Sequence, residues 1–312
     1  MSGAALLAVD VGGTTIKSAL VGADGRVLSR QWLATGQGAA AEQAVTDSAR
    51  HLGRQARDEG LTVVGAGVVS PGVIDPEAGV VRYASNLDWT DVSLSALVRA
   101  GLDVPVAVGH DARAAGEAEG LLGAARGRRD YVHVSIGTGI AASLVVGGTL
   151  VAGSAGGAGE LGHAPVVPDG EACPCGQRGC LEVYASGGGI ARRYLELTGR
   201  PATAREVAER LVTDRVAQQV WDDAVRAWVT SLASLTLTLE PELVVLGGGL
   251  AQAGDALLDP VRAGLRAALT WRTPPAVEVS TLGSDAALTG AALLAARAAG
   301  VEVDPDAWGA RA

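Results

Sequence analysis

The chain has 312 residues, 48% hydrophobic and 19% charged, a globular composition long enough for two cores. Its formal charge of −9 argues against a nucleic-acid or anionic-membrane partner, and neither a charged-then-apolar leader nor a run of ~18 apolar residues points to export or a bilayer. Six Trp, four Tyr and no Phe leave the core to Val, Leu, Ile and Ala, and 44 glycines imply many tight turns.

In chain order, Ala5–Val11 reads as a buried strand, Gly12-Gly13 as a turn into a second strand over Thr14–Val21, and Ala23-Asp24-Gly25 as a turn into a third over Val27–Ala34. Ala39–Glu59 sets Ala44, Ala49, Leu52 and Ala56 on one helical face. Thr62–Val69 returns as a strand that Ser70-Pro71-Gly72 breaks. The pattern then recurs: strand Tyr131–Ile136, turn Gly137-Thr138-Gly139, strand Ile140–Val146, hairpin turn Gly147-Gly148, strand Thr149–Ala152. Gln218–Val229 reads as an amphipathic helix. The tail gives a strand over Leu243–Leu246 into Gly247-Gly248-Gly249, a helix over Asp259–Leu269, a strand over Val277–Leu282 and a last helix from Asp285 to about Ala298. Strands interleaved with helices, in two related halves, predict α/β layers.

Asp10-Val11-Gly12-Gly13-Thr14-Thr15-Ile16-Lys17 puts an acid at a strand end ahead of two glycines and two hydroxyls. Backbone N–H groups in such a turn can cradle phosphate oxygens, and Asp10 is placed to hold Mg²⁺ directly or through water. By itself the segment is equally an ordinary hairpin turn with a solvated aspartate. Gly137-Thr138-Gly139-Ile140-Ala141-Ala142 matches the spacing of a dinucleotide fingerprint, but that motif must open a helix. Here a strand follows, so a second phosphate-binding hairpin fits better. Gly247-Gly248-Gly249 could let a flat adenine lie against backbone, or be a tight connection. Three glycine turns at strand ends of two repeated halves favour a nucleotide.

All three cysteines fall within Cys173-Pro-Cys175-Gly-Gln-Arg-Gly-Cys180, with His163 ten residues upstream. These are the ligand types of a closed tetrahedral zinc site. Such a shell has no open position, so the metal would be structural. Clustered thiols without a secretion signal favour a reducing compartment, and the cytoplasm is the expected location. Glu160 and Glu182 flank the knot and make it a place to look for a substrate.

Asp10-x-Gly-Gly-Thr, the Gly137–Gly139 hairpin, Gly159-Glu160-x-Gly162-His163 and Cys173-x-Cys175-Gly-x-x-Gly-Cys180-x-Glu182 together resemble the ROK family of bacterial sugar kinases and sugar-responsive repressors, in order and over nearly the whole chain. The resemblance implies an α/β, two-lobed actin-like (ribonuclease H-like) ATPase fold with duplicated mixed-sheet cores. One lobe would span residues 1–112, completed by the C-terminal helix at about 285–300. The other, 113–284, would carry the zinc motif and a homodimerisation surface. The resemblance further implies ATP and Mg²⁺ held by Asp10, Gly12, Gly13, Thr14, Thr15, Lys17, the Gly137–Gly139 hairpin and Gly247–Gly249, beside structural Zn²⁺ on His163, Cys173, Cys175 and Cys180. Asp111 falls on the base that takes the sugar hydroxyl's proton, with His110 where the family usually has asparagine. Glu160, His163 and Glu182 match sugar-gripping residues, and Ser85-Asn86-Leu87-Asp88-Trp89 resembles a further sugar-side loop through Asn86. In that scheme His163 would face zinc through one ring nitrogen and sugar through the other.

The expected activity is ATP-dependent phosphorylation of the 6-hydroxyl of an aldohexose, N-acetylglucosamine first because His110 departs from the Asn-Asp of plain glucokinases, and glucose second. A family regulator would need a DNA-reading module ahead of Asp10, for which nine residues leave no room. A sugar-sensing domain without catalysis is the remaining alternative.

Overall fold

The computed structural model describes residues 3–309, which divide into two compact units. One gathers the chain up to Arg126, Gly153–Gly157 and the tail from Asp285; the other holds Gly127–Ala152 and Ala158–Ser284. The segment that follows Asp111 therefore groups with the first unit, where the sequence reading had set a boundary at 112/113.

The first unit opens with β1 (Ala4–Val11), β2 (Thr15–Gly22), β3 (Val27–Ala34), α1 (Ala39–Asp58) and β4 (Thr62–Ser70). Ala5 to Val9 are all fully buried, as a central strand covered on both faces must be. β1 pairs antiparallel with β2 and parallel with β4. α1 packs through Ala41, Val45, Ala49, Leu52 and Ala56, spacings of three and four that form one apolar stripe. A small antiparallel sheet follows, β5 (Val73–Asp75), β6 (Val80–Ala84) and β7 (Trp89–Ser93), in a stretch where the sequence pattern points to no strand. Its Trp89 is fully buried, with the indole N–H on the Gly38 carbonyl at 3.2 Å; that burial contributes about 2–3 kcal/mol. After α2 (Leu94–Gly101), β8 (Val106–His110) completes the main sheet in the order β3-β2-β1-β4-β8 and leads directly into α3 (Asp111–Leu122).

The second unit repeats the plan. β9 (Tyr131–Ile136), β10 (Ile140–Val146) and β11 (Thr149–Leu150) form the antiparallel part. The helices α4 (Leu181–Ala185), α5 (Gly187–Thr198), α6 (Ala204–Glu209) and α7 (Arg215–Leu239) precede β12 (Leu243–Gly247), α8 (Asp255–Ala268) and β13 (Ala276–Val279). The order β11-β10-β9-β12-β13 has the same connectivity as the first sheet. α7, which contains the expected Gln218–Val229 helix, buries Val220, Trp221, Ala224, Trp228 and Leu232.

Several expected boundaries shift, among them the end of β11, at Leu150 instead of Ala152. α8 begins four residues before Asp259, with Pro260 inside it. Proline cannot donate to the carbonyl four residues back, and here the Trp221 indole supplies that bond to the Ala256 carbonyl at 3.0 Å. β13 ends at Val279 instead of Leu282, because the Ser280 hydroxyl accepts the Gly283 N–H at 2.8 Å and turns the chain.

The chain then returns to the first unit as α9 (Ala286–Ala299) and α10 (Pro305–Gly309). α9 lies close on the sheet because β4 offers glycines: a Cβ on Gly67 would stand 1.9 Å from the Ala291 carbonyl oxygen. Among the described residues no helix is long and apolar enough to cross a membrane.

Candidate functional site

In the first unit, Asp10 is the penultimate residue of β1, and the Gly12-Gly13 turn carries the chain into β2. The Gly12 N–H is already used on the Thr15 carbonyl at 3.1 Å, whereas Gly13 and Thr14 are exposed. The turn is pinned from outside by Thr35, a buried residue the sequence reading passed over. Its hydroxyl donates to the Gly12 carbonyl at 2.7 Å, and its N–H to the Thr14 carbonyl at 3.0 Å. Asn86 sits in a short 3-10 turn, with its amide nitrogen 3.2 Å from where a Gly13 Cβ would be. The residue expected on the sugar side thus borders the Gly12-Gly13 turn.

Asp10 lies opposite Lys17 in the β1–β2 register. Its carboxyl is pushed up to about 7, chiefly by burial, then by the nearby Asp111 carboxylate; Lys17 pulls it back, and Asp285 adds to the rise. Asp285, read from sequence only as a helix start, is a third acid in this cluster and also pairs with Arg30 at 2.5 Å. An acid that resists ionisation because it is buried, with other acids nearby, is the donor type whose charge a divalent cation would offset.

Asp111 opens α3, and its Oδ1 accepts the Ala112 N–H at 2.6 Å, leaving Oδ2 to accept a proton. The same N–H lies 3.2 Å from Nδ1 of the buried His110, which caps the helix. His110 therefore does with a ring nitrogen what asparagine does with its amide oxygen, a reason the position tolerates the exchange.

In the second unit the Gly137–Gly139 hairpin joins β9 to β10. Its far side meets Glu182, in the first turn of α4, whose Oε2 accepts the Ile140 N–H at 2.8 Å. Glu160 is exposed at the start of the 3-10 turn Leu161–His163. The knot is close-packed around glycine: Gly179 has φ +72, and a Cβ there would lie 1.8 Å from the Val167 carbonyl oxygen.

The ligand atoms of His163, Cys173, Cys175 and Cys180 all lie within 4.8 Å of one another. His163 Nδ1 is 3.7 Å from the Cys173 sulfur, and the Cys175 and Cys180 sulfurs are 3.7 Å apart. A tetrahedral zinc with Zn–S near 2.3 Å needs donor separations of about 3.5–3.8 Å, so the set fits that ion. Nδ1 faces the metal position, which leaves Nε2 for another partner. Gln177 holds the His163 carbonyl at 3.3 Å. Glu171, just before Cys173, is tied to α5 by Arg192 at 2.6 Å and Arg193 at 2.8 Å.

A cavity of ≈ 980 Å³ in the second unit is lined by Gly137 and Thr138, by Gly187 and Gly188 at the start of α5, by Thr203, Arg205 and Glu209 around α6, and by Gly249 and Gln252. Its size admits a nucleoside with its phosphates. Gly249 lines it, whereas Gly247 and Gly248 are packing residues: a Cβ on either would fall 2.6 Å from His133 Nε2 or 2.4 Å from the Ile136 carbonyl oxygen. Arg205 donates to Gln252 at 2.8 Å at the cavity. The α5 and α6 contributions were not read from the sequence. The run Ser186-Gly187-Gly188-Gly189 was the available signal, a capping serine before a bare helix start.

A family model described as "ROK family" matches residues 6–298. The chain is 32% identical over 310 residues to a glucokinase of Streptomyces coelicolor, covering 93% of this chain and 96% of the relative. It is 34% identical over 313 residues to an N-acetylmannosamine kinase of Escherichia fergusonii, covering 93% and 97%. The structure of a ROK family glucokinase from Streptomyces griseus in complex with glucose and AMPPNP superposes with a TM-score of 0.82 at 31% identity, over 94% of this chain and 99% of that one.

Proposed function

The chain belongs to the ROK family, and on that premise we propose that it is a sugar kinase, transferring the γ-phosphoryl group of ATP to the 6-hydroxyl of an aldohexose. The observation that carries this reading is the placement of Asp111, a partly exposed carboxylate at a helix start, in the same charged cluster as Asp10 and Lys17 of the glycine turn.

A sugar hydroxyl is far too weak an acid to ionise beforehand. Asp111 takes its proton as the oxygen attacks the γ-phosphorus and ADP departs; the rest of the catalysis is alignment and charge neutralisation. The Gly12-Gly13 turn, where Gly13 and Thr14 are exposed, offers backbone N–H groups and hydroxyls to phosphate oxygens, and the ≈ 980 Å³ cavity lined by Gly137 and Thr138 would take the nucleoside. Mg²⁺ on Asp10 would neutralise phosphate charge. Glu160, His163 Nε2 and Glu182 offer acceptors and a donor matched to ring hydroxyls, and zinc on the cysteine knot would fix the ring of His163. Of the sugars, N-acetylglucosamine is proposed first and glucose second, and the glucokinase relatives support the second.

The test is ADP release from Mg·ATP with glucose, N-acetylglucosamine, N-acetylmannosamine, mannose or no sugar, beside Asp111→Asn. Sugar-dependent turnover that falls ~10²–10⁴-fold in the variant supports the kinase and its base. Sugar binding without turnover across the whole panel overturns the kinase in favour of a sensor.

A further inference from the structure

The position of Glu182 is more particular than that of a sugar ligand alone. Its Oε2 accepts the N–H of Ile140, the first residue after the Gly137–Gly139 hairpin, at 2.8 Å. The same oxygen lies 2.5 Å from where a Cβ on Gly139 would stand, and 3.2 Å from a Cβ on Gly162. One carboxylate oxygen is thus enclosed by the hairpin on one side and by the Gly159–His163 segment on the other. The remaining contacts draw the same pieces together. Gly187, just past α4, donates its N–H to the Gly137 carbonyl at 2.9 Å, and a Cβ on Gly188 would press on the Thr138 carbonyl oxygen at 2.7 Å. Gly159 accepts the Ala142 N–H at 2.7 Å, and a Cβ on Gly162 would fall 2.4 Å from the Ile140 carbonyl oxygen. Both ends of the hairpin are therefore fastened to the chain around Glu182, and the segment that carries Glu160 and His163 lies flush on the strand that leaves the hairpin. The small size of Gly139 therefore matters for a reason unrelated to phosphate: a side chain there would push the Glu182 carboxylate aside.

We propose that Glu182 is a two-sided residue, with Oε2 locking the phosphate hairpin and Oε1 taking the sugar, so that sugar and nucleotide binding are coupled within the second unit through one carboxylate. This rests on the reading of Glu182 as a sugar contact. A sugar that draws on Oε1 fixes the carboxylate and with it the hairpin; a nucleotide that settles the hairpin presents Oε1 to the sugar. The coupling is reciprocal, since two ligands that share a free-energy link change each other's affinity by one factor.

Isothermal titration with glucose, N-acetylglucosamine and the non-hydrolysable analogue AMPPNP, each alone and in the presence of the other ligand, tests this in the full-length protein, Gly139→Ala and Glu182→Gln. For the wild type, the preferred sugar is expected to tighten AMPPNP ~5–50-fold, and AMPPNP to tighten that sugar by the same factor. Gly139→Ala, in a residue assigned to phosphate, is expected to weaken sugar binding at least tenfold with no nucleotide present and to bring the coupling factor close to one. Zinc content and melting temperature, measured on the same preparations, identify loss of folding; Glu182→Gln, which keeps an acceptor and the side-chain volume, then serves as the second variant, with both affinities reduced. Sugar affinity unchanged in a folded Gly139→Ala overturns the link. Glu182→Gln that weakens AMPPNP but leaves sugar binding intact overturns the two-sided role by removing its sugar half. Sugar-dependent ADP release by the wild type, run alongside, separates failure of this link from failure of the kinase reading.

Discussion

Asp10 shows how a single residue carries both a fold constraint and a chemical role. Its carboxyl titrates at about 7 in the folded chain against 3.8 when unperturbed, so between those values the folded state holds a proton the unfolded state has released. Stability therefore falls as pH rises from about 4 to about 7, by at most ~1.4 kcal/mol per pH unit for one proton. Asp10→Asn is expected to flatten that part of the profile, and Mg²⁺ to stabilise the wild type more at pH 8 than at pH 5, because metal and proton compete for the same oxygens. Urea denaturation of both proteins over pH 5–8, with and without Mg²⁺, checks this; parallel profiles would refute the assignment. The motif around Asp10 is legible because it is contiguous. Thr35 and Asp285, which complete its surroundings, were not, since each reaches the turn from a distant part of the chain and bears no mark of that contact in its own neighbourhood.

The cysteine knot is the element whose stability a bound zinc would govern. Arg193 braces it from α5, contacting Glu171 and Asp223 at 2.8 and 2.7 Å and lying over the Tyr184 ring, so part of the loop is held by protein alone. Among the sulfurs, burial pushes the Cys180 thiol up to about 12 and raises Cys173 as well, whereas the Gln177 backbone N–H brings Cys175 down to about 7. A cation must therefore offset the cost at Cys173 and Cys180 for the set to bind as thiolates. Cys175→Ser should lower zinc content, melting temperature and sugar affinity together, because the shell orients His163. Full sugar affinity in demonstrably zinc-free protein would break that link. Cysteine spacing made this element readable in advance. The helices α5 and α6 were missed because the cavity they line is assembled from segments whose own patterns look like ordinary amphipathic helix.

For the whole molecule, duplication was visible as two strand–glycine turn–strand patterns, and both became sheets of one connectivity. What closes the first unit is α9, through an approach that β4 permits only with glycine. Gly67→Ala sets a methyl 1.9 Å from the Ala291 carbonyl oxygen, an overpacking expected to cost about 1–3 kcal/mol and to lower the melting temperature by several degrees; an unchanged melt would mean that α9 can shift freely. By itself the sequence determined the α/β class, the strand–turn–strand pattern of each hairpin, the grouping of His163 with the three cysteines and the family, because these depend on local period, short spacing and contiguous motifs. Only the tertiary structure decided that Glu182 holds the Gly137–Gly139 hairpin, that His110 caps α3, that Trp221 satisfies the carbonyl Pro260 leaves open, and that Asp285 joins Asp10. Those are contacts between residues far apart in the chain, and their energy depends on distances that no local pattern encodes.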